Sequence, residues 1–292
     1  MSDMLRQVLT TALDELGVPF AGDLVMRPVG GGCINQTYRL DSGPHAYFVK
    51  VNDPSAYDMF TAEVEGLTAM RESQSVRAPE VIGQGVYGGR ACLFLEYIDL
   101  QPISARHAAL FGERLAEMHR TCAKEFGWTR DNTIGSTHQD NTRRTNWTEF
   151  WAENRMSFQL ELAARNGYGG NLQRQGERLL AALPGRLGAH QPEASLLHGD
   201  LWGGNCAADA EGNPVLFDPA CYFGDRECDL AMTELFGHLP AAFYESYHAT
   251  WPIDPGYEVR RDLYNLYHIL NHLNLFGGHY LHQAETLTTR FL

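Results

Sequence analysis

The residues best suited to chemistry lie in Leu196-Leu197-His198-Gly199-Asp200-Leu201-Trp202-Gly203-Gly204-Asn205. An aspartate stands five residues before an asparagine, with a histidine two residues before the aspartate. Phosphoryl transfer needs a carboxylate to orient the attacking hydroxyl and accept its proton. It also needs an oxygen ligand for the magnesium that neutralises the phosphates. Asp200 and Asn205 are of the right types for these two tasks. Thirteen residues after Asn205, Pro214-Val215-Leu216-Phe217-Asp218-Pro219 reads as a short apolar strand ending in an acid. Asp218 would be a second oxygen ligand for a hard cation, although Asp-Pro at a strand end is also a common turn.

The Asp200–Asn205 spacing is that of the kinase catalytic loop, with Gly199 where protein kinases carry arginine. Upstream, Val29-Gly30-Gly31-Gly32-Cys33-Ile34-Asn35 is a glycine-rich turn. Its glycines let backbone N–H groups approach phosphate oxygens without side-chain clash. No Gly-Lys-Ser/Thr follows it and no helix pattern does, so it is neither a Walker A loop nor a dinucleotide fingerprint. Taken alone, it is equally a hairpin turn. The strand Ala46-Tyr47-Phe48-Val49-Lys50-Val51 places one lysine inside an apolar run. A lysine there is costly to bury unless phosphate or carboxylate pairs with it. Glu63 or Glu65, on a helix from Tyr57 to Met70 with Met59, Phe60, Val64 and Leu67 as its apolar stripe, would be that partner. Helical geometry does not choose between them. Next, Ala91 to Ile98 is a continuous buried-strand pattern broken at Asp99 and Pro102. In a two-lobed kinase this segment hands the small lobe over to the large one. The backbone of Glu96 and Ile98 would then meet adenine.

The elements that must hold these residues can be laid out coarsely from pattern alone. A helix covers 1–17, strands with glycine turns about 23–51, a helix about 55–72, and strands about 80–88 and 91–98. A helix from Ser104 to Cys122 carries Leu110, Leu115 and Met118 on one face. The Asn-, Thr- and Gly-rich stretch 127–146 reads as loop near the substrate mouth. Trp147, Trp151, Phe158 and Leu162 line a long helix, another helix covers about 171–187, and the chain after Asp229 is helical and aromatic-rich.

Gly30 to Asn35, Phe48-Val49-Lys50-Val51-Asn52, Met59-Phe60 with Glu63, Leu95-Glu96-Tyr97-Ile98, Leu196 to Asn205 and Phe217-Asp218-Pro219-Ala220 together resemble the fructosamine kinase (ketosamine-3-kinase) family. That family falls within the wider aminoglycoside phosphotransferase and choline kinase group. The resemblance runs from about Val25 to Phe291, and Tyr264, Tyr267, His268, Asn271, His272, Asn274, Phe276 and Gly277 resemble the family's last helix. It implies an α+β, bilobal protein-kinase-like fold. Residues 1–98 would be a small antiparallel-sheet nucleotide-binding N-lobe, and 99–292 a larger, mainly helical catalytic and substrate-binding C-lobe.

By the same resemblance, Gly30, Gly31 and Gly32 would lie against the phosphates of ATP and Lys50 would hold the α- and β-phosphates. Glu63 rather than Glu65 would pair with Lys50. Asp200 would be the catalytic base, with Asn205 and Asp218 binding Mg²⁺. His198 and Asp229 would support the catalytic loop. Trp202 lies close to where the acceptor should bind, and an indole face suits a sugar ring or a cationic amine. The activity implied is phosphorylation of the sugar 3-hydroxyl of a ketosamine, small or protein-bound, which makes the adduct fall apart. The Leu201-Trp202-Gly203-Gly204 form argues against the alternative of an aminoglycoside or choline kinase. The intact Lys50, Asp200, Asn205 and Asp218 argue against a non-catalytic nucleotide-binding module.

Composition agrees with a globular enzyme: 44% apolar and 20% charged residues. A net charge of −13 argues against a nucleic-acid partner, which would demand a basic surface. No stretch approaches the roughly twenty apolar residues of a membrane span, and the N-terminus lacks a signal-peptide pattern. The six cysteines form no Cys-x-x-Cys pair or zinc spacing, which points to reduced thiols in the cytoplasm. Cys33, inside the glycine turn, is a candidate for oxidation that blocks nucleotide binding. His268 and His272 stand four apart on a helix, as zinc ligands do, but no third ligand follows at a telling spacing. They read as structural or substrate-contacting residues. Monomer and homodimer are both compatible with the chain.

Overall fold

The computed structural model describes residues 2–20, 24–30 and 34–292. Gly31 and Gly32, expected to lie against phosphate, and Cys33, the candidate for oxidation, fall outside the described residues. Helix α1 (Ser2–Glu15) precedes strands β1 (Val25–Pro28), β2 (Gln36–Ser42) and β3 (His45–Asn52). Helix α2 (Tyr57–Glu72) follows, then β4 (Val81–Tyr87) and β5 (Arg90–Glu96). The five strands form one antiparallel sheet of order β1-β2-β3-β5-β4. Gly88 and Gly89, at φ +53° and +75°, make the two-residue turn that joins β4 to β5.

Strand alternation decides where Lys50 points. Successive side chains of a strand face opposite sides of the sheet. On β3, Tyr47, Val49 and Val51 pack with Cys92, Phe94 and Leu40 against Leu9 and Leu13 of α1. Phe48 and Lys50 therefore share the other face, towards α2. On β5, Ala91, Leu93 and Leu95 lie on that inner side with Phe60, Leu67 and Met70 of α2. Because α1 and α2 cover both faces, these strands read as unbroken apolar runs.

The rest of the chain is mainly helical. It begins with α3 (Ala105–His119) and the short strand β6 (Cys122–Ala123). The stretch expected to be loop folds back as a hairpin of β7 (Asn132–Ile134) and β8 (Thr137–Gln139). Three-residue strands are too short for an alternation pattern to declare itself. Next come α4 (Trp147–Phe150), a π-helical stretch (Trp151–Ser157) and α5 (Phe158–Arg165), one continuous helix. The wide π turn advances the buried face to Asn154, Arg155, Gln159, Leu160 and Ala163 and leaves Phe158 and Leu162 half-buried, so the stripe expected from a 3.6-residue period is displaced.

Helix α6 (Asn171–Leu187) leads to β9 (Ala194–Leu197), which pairs with β6 and with β12 (Tyr222–Gly224). Between them, β10 (Cys206–Ala208) and β11 (Pro214–Leu216) form a hairpin. Helices α7 (Glu227–Leu235), α8 (Ala241–Thr250), α9 (Tyr257–Phe276) and α10 (Leu281–Thr289) complete the chain. The larger buried cluster runs from α2 and β5 through α3, β9 and α9 without a break at residue 98.

Candidate active site

The catalytic-loop segment leaves β9 at Leu197 and turns sharply at Gly199. That residue has φ +82°, and a Cβ there would come within 2.1 Å of the Ala220 carbonyl oxygen. Only glycine fits such a turn against such a neighbour. Ala220 N–H in turn donates to His198 O at 2.8 Å, which locks the segments carrying Asp200 and Asp218 side by side. Asp218 itself has φ +56°, unusual for a residue with a side chain and of the kind that collects at functional sites.

Asp229 braces the turn from beneath. Its carboxylate accepts the backbone N–H of His198 (2.7 Å) and of Gly199 (2.9 Å). His119 of α3 meets the same carboxylate at 3.2 Å and Tyr247 Oη at 2.7 Å. Burial pushes the Asp229 pKa up, but these donors outweigh it and hold the carboxyl below its ordinary value. His198 is buried and its pKa is lowered by that burial. Its Nε2–H donates to Phe217 O (2.9 Å) while Nδ1 accepts Asp200 N–H (3.2 Å), so the neutral ring ties both acidic segments together.

One cavity of about 350 Å³ gathers Lys50, Glu63, Asp200, Trp202, Asn205 and Asp218. Lys50 Nζ lies 2.6 Å from Glu63 Oε1 and in direct contact with Asp218 Oδ1. Glu63 is the partner, as the family register implied; Glu65 faces away and meets Thr129 and Arg130. Burial lowers the Lys50 pKa, but Asp218 and Glu63 outweigh it and raise it above the ordinary lysine value. Burial pushes the Glu63 pKa up and Lys50 opposes it. Asn205 Nδ2 donates to Asp200 O (2.9 Å) and Asp200 Oδ2 (3.1 Å). Asp200 is pushed up to about 7 by burial, against the Asn205 hydrogen bond and with the charges of Asp218 and Asp229. A carboxylate so poised suits proton acceptance near neutrality.

Several expected residues stand apart from this cavity. Gly30 is exposed and does not line it. Glu96 and Ile98 do not line it either. Glu96 N–H is bonded to Glu80 O at 2.8 Å, so any backbone contact of Glu96 with adenine would be made through its carbonyl oxygen. Its carboxylate pairs with Arg77 (2.5 Å), which also reaches Asp209 (2.6 Å) and so ties the end of β5 to the β10–β11 hairpin. Among the described residues His268 and His272 gather no further ligand; the His272 Nδ1–H bonds to His268 O at 2.7 Å.

Sequence reasoning missed His119, Arg77 and the β7–β8 hairpin. The hairpin supplies Asn132, Thr133, Gly135 and Ser136 to the cavity wall. It is moored beside Asp218 by Asn132 Nδ2 to Cys221 O (2.8 Å) and Gln139 Nε2 to Ala220 O (3.2 Å). Arg155, fully buried, donates to Asn141 Oδ1 at 2.7 Å and sits over the rings of Tyr222 and Phe150. The excess of asparagine and threonine in 127–146 was the available signal.

Fold and site define a phosphotransferase with an alcohol group as acceptor, on the bilobal protein-kinase-like plan. The chain belongs to the fructosamine kinase family, whose model matches residues 4–292. A protein of Synechocystis sp. named as a ketoamine kinase is 46% identical over 267 residues, covering 91% of this chain and 90% of that one. A chloroplastic protein-ribulosamine 3-kinase of Oryza sativa subsp. indica is 41% identical over 270 residues, covering 90% of this chain and 78% of the relative. Among solved structures, one from Haemophilus somnus described as a fructosamine-3-kinase superposes with TM-score 0.87 at 28% identity, covering 99% of this chain and 96% of that one.

Proposed function

We propose that the protein is an ATP- and Mg²⁺-dependent kinase that phosphorylates the sugar 3-hydroxyl of ketosamines and so promotes release of the glycated amine. The observation that carries this reading is the closed arrangement in one cavity of the Lys50–Glu63 ion pair, Asp218 and the Asn205-oriented Asp200. Membership of the family and the names of its relatives supply the acceptor class. Residues 1–98 would serve the nucleotide and 99–292 the acceptor.

Lys50 would bind the α- and β-phosphate oxygens, held in place by Glu63. Asp200 would accept the proton of the attacking hydroxyl, and Asn205 fixes the carboxylate that does so. Asp229 and His198 hold the loop rigid so that this carboxylate is already aimed before the acceptor arrives. The site suits magnesium in donor type and in charge. Asn205 spends its amide N–H on Asp200, leaving its carbonyl oxygen, with the Asp218 carboxylate that lines the same cavity, as hard ligands. Three carboxylates face a single ammonium there, and a divalent cation offsets that excess. Bound there, the ion would neutralise phosphate charge.

All the residues named come from one chain, so a monomer suffices for the chemistry. Cys92, Cys206, Cys221 and Cys228 are buried free thiols, in keeping with a reducing, cytoplasmic setting. Among the described residues no helix is long and apolar enough to cross a membrane.

The test is ATP consumption with fructosamines, ribulosamines, aminoglycosides and choline side by side. Turnover with the ketosamines and little with the others is expected. Preference for an aminoglycoside or choline would overturn the assignment of acceptor.

A further inference from the structure

Phenylalanine and tryptophan are buried nearly everywhere in this fold. Among the described residues the exposed ones are Trp202 (40%), Phe236 (41%) and Phe276 (50%). They are not scattered. The Trp202 ring meets Phe236 edge-on at 6.4 Å, Phe236 lies 4.7 Å from His272, and His272 lies 5.3 Å from Phe276. Trp202 and Phe276 both line the cavity that holds Asp200 and Asp218. Three exposed large aromatics gathered at the rim of one cavity mark a binding surface rather than leftover apolar area.

The electrostatics of the rim select a cation. Phe236 caps the C-terminus of α7 and Phe276 is the last residue of α9. Helix C-termini carry partial negative charge, and neither last turn contains a basic residue to cancel it. His272 donates its Nδ1–H to His268 O, which leaves Nε2 as an acceptor, and burial lowers its pKa. The aromatic faces add their own attraction for a cation.

We propose that Trp202, Phe236, His272 and Phe276 form a subsite for the amine half of the acceptor: a protonated secondary ammonium and the carbon chain it carries. This rests on the ketosamine reading above and deepens it. The sugar hydroxyl lies at Asp200 while the ammonium and its chain leave the cavity across the rim, so the rim reads which amine was glycated.

The experiment compares Phe236→Ala, Phe236→Leu and Phe276→Ala with the wild type on two acceptors that share one sugar. In the first the linking nitrogen is a protonated secondary amine; in the second it is acylated and neutral. The alanine variants should raise the acceptor KM of the charged compound about tenfold, with kcat and the KM for ATP within twofold. Phe236→Leu, which keeps bulk without a π face, should fall between. The neutral compound should show little difference among the enzymes. Unchanged KM values in both alanine variants, or equal losses on charged and neutral acceptors, would overturn the subsite while leaving the kinase reading intact. A wild type that phosphorylates no ketosamine at all would overturn both.

Discussion

Removing Lys50 should expose how the buried charges of this site depend on one another. In Lys50→Met, Glu63 loses the ammonium 2.6 Å from its carboxylate and stays buried. Asp218 is half-exposed and can turn to water. An unpaired buried carboxylate costs several kcal/mol, so Glu63 will protonate instead. At pH 7 that caps the penalty at about 3.7 kcal/mol, from 1.36 kcal/mol per pH unit across the interval from an unfolded pKa of about 4.3. The sign follows from linkage. The folded variant holds a proton that the unfolded chain has released, so stability falls as pH rises above about 4.3. The penalty should therefore shrink by up to about 1.4 kcal/mol for each unit of acidification, and by less as pH approaches the raised pKa of Glu63 in the wild type. Lys50→Met/Glu63→Gln removes both charges and should regain most of the loss, with a deficit that hardly varies with pH. Urea unfolding at pH 7.5, 6.5 and 5.5 reads all three proteins. Phosphoryl transfer should stay at least about a hundredfold down in both variants. A pH-independent deficit in Lys50→Met, or a double variant no more stable than the single one at pH 7.5, would refute the reasoning.

Other expectations concern the loop. Asp200→Asn should lose kcat by about a thousandfold or more while ATP binding, followed by fluorescence titration, changes little. In the wild type kcat/KM should rise with pH through an acid limb near 7, the value to which burial pushes Asp200, and that limb should move lower as Mg²⁺ is raised and disappear in Asp200→Asn. Gly199→Ala forces a Cβ to within 2.1 Å of Ala220 O at positive φ and should cost about 2–4 kcal/mol in urea unfolding. Asp229→Ala strands the buried N–H groups of His198 and Gly199 and should cost about 2–6 kcal/mol, at about 1–3 each. His119→Ala, which leaves both bonds in place, should cost clearly less.

Much of the site was legible because its chemistry violates local expectation. A lysine in an apolar strand, and an acid and an amide at fixed spacing, have few structural reasons to exist. The choice between Glu63 and Glu65 was not legible from periodicity, because the expected stripe through Met59 and Val64 is only half-buried. The buried line is Phe60, Glu63, Leu67 and Met70, with Glu63 inside it. The helix after Trp147 was found but its buried face was misplaced, since a π-helical turn leaves no mark in composition. His119 was invisible for a different reason: a histidine on the packed face of α3 shows nothing of the carboxylate 110 residues away that it meets. The β7–β8 hairpin was hidden by brevity, its strands being held by asparagine and glutamine side chains bonded to the Asp218 segment rather than by apolar alternation.

The unbroken core has a consequence for how such an enzyme can diversify. Phe60, Leu67, Leu93 and Leu95 share one packed interior with Phe111, Leu196 and Leu216. Close-packed interiors tolerate little change in shape. The segment from α2 to β5 therefore does not exchange between relatives as a cassette, since each exchange would have to bring its matching half of the interior with it. Single substitutions at places the interior does not feel disturb it least, and the exposed rings of Phe236 and Phe276, at the proposed acceptor subsite, are such places.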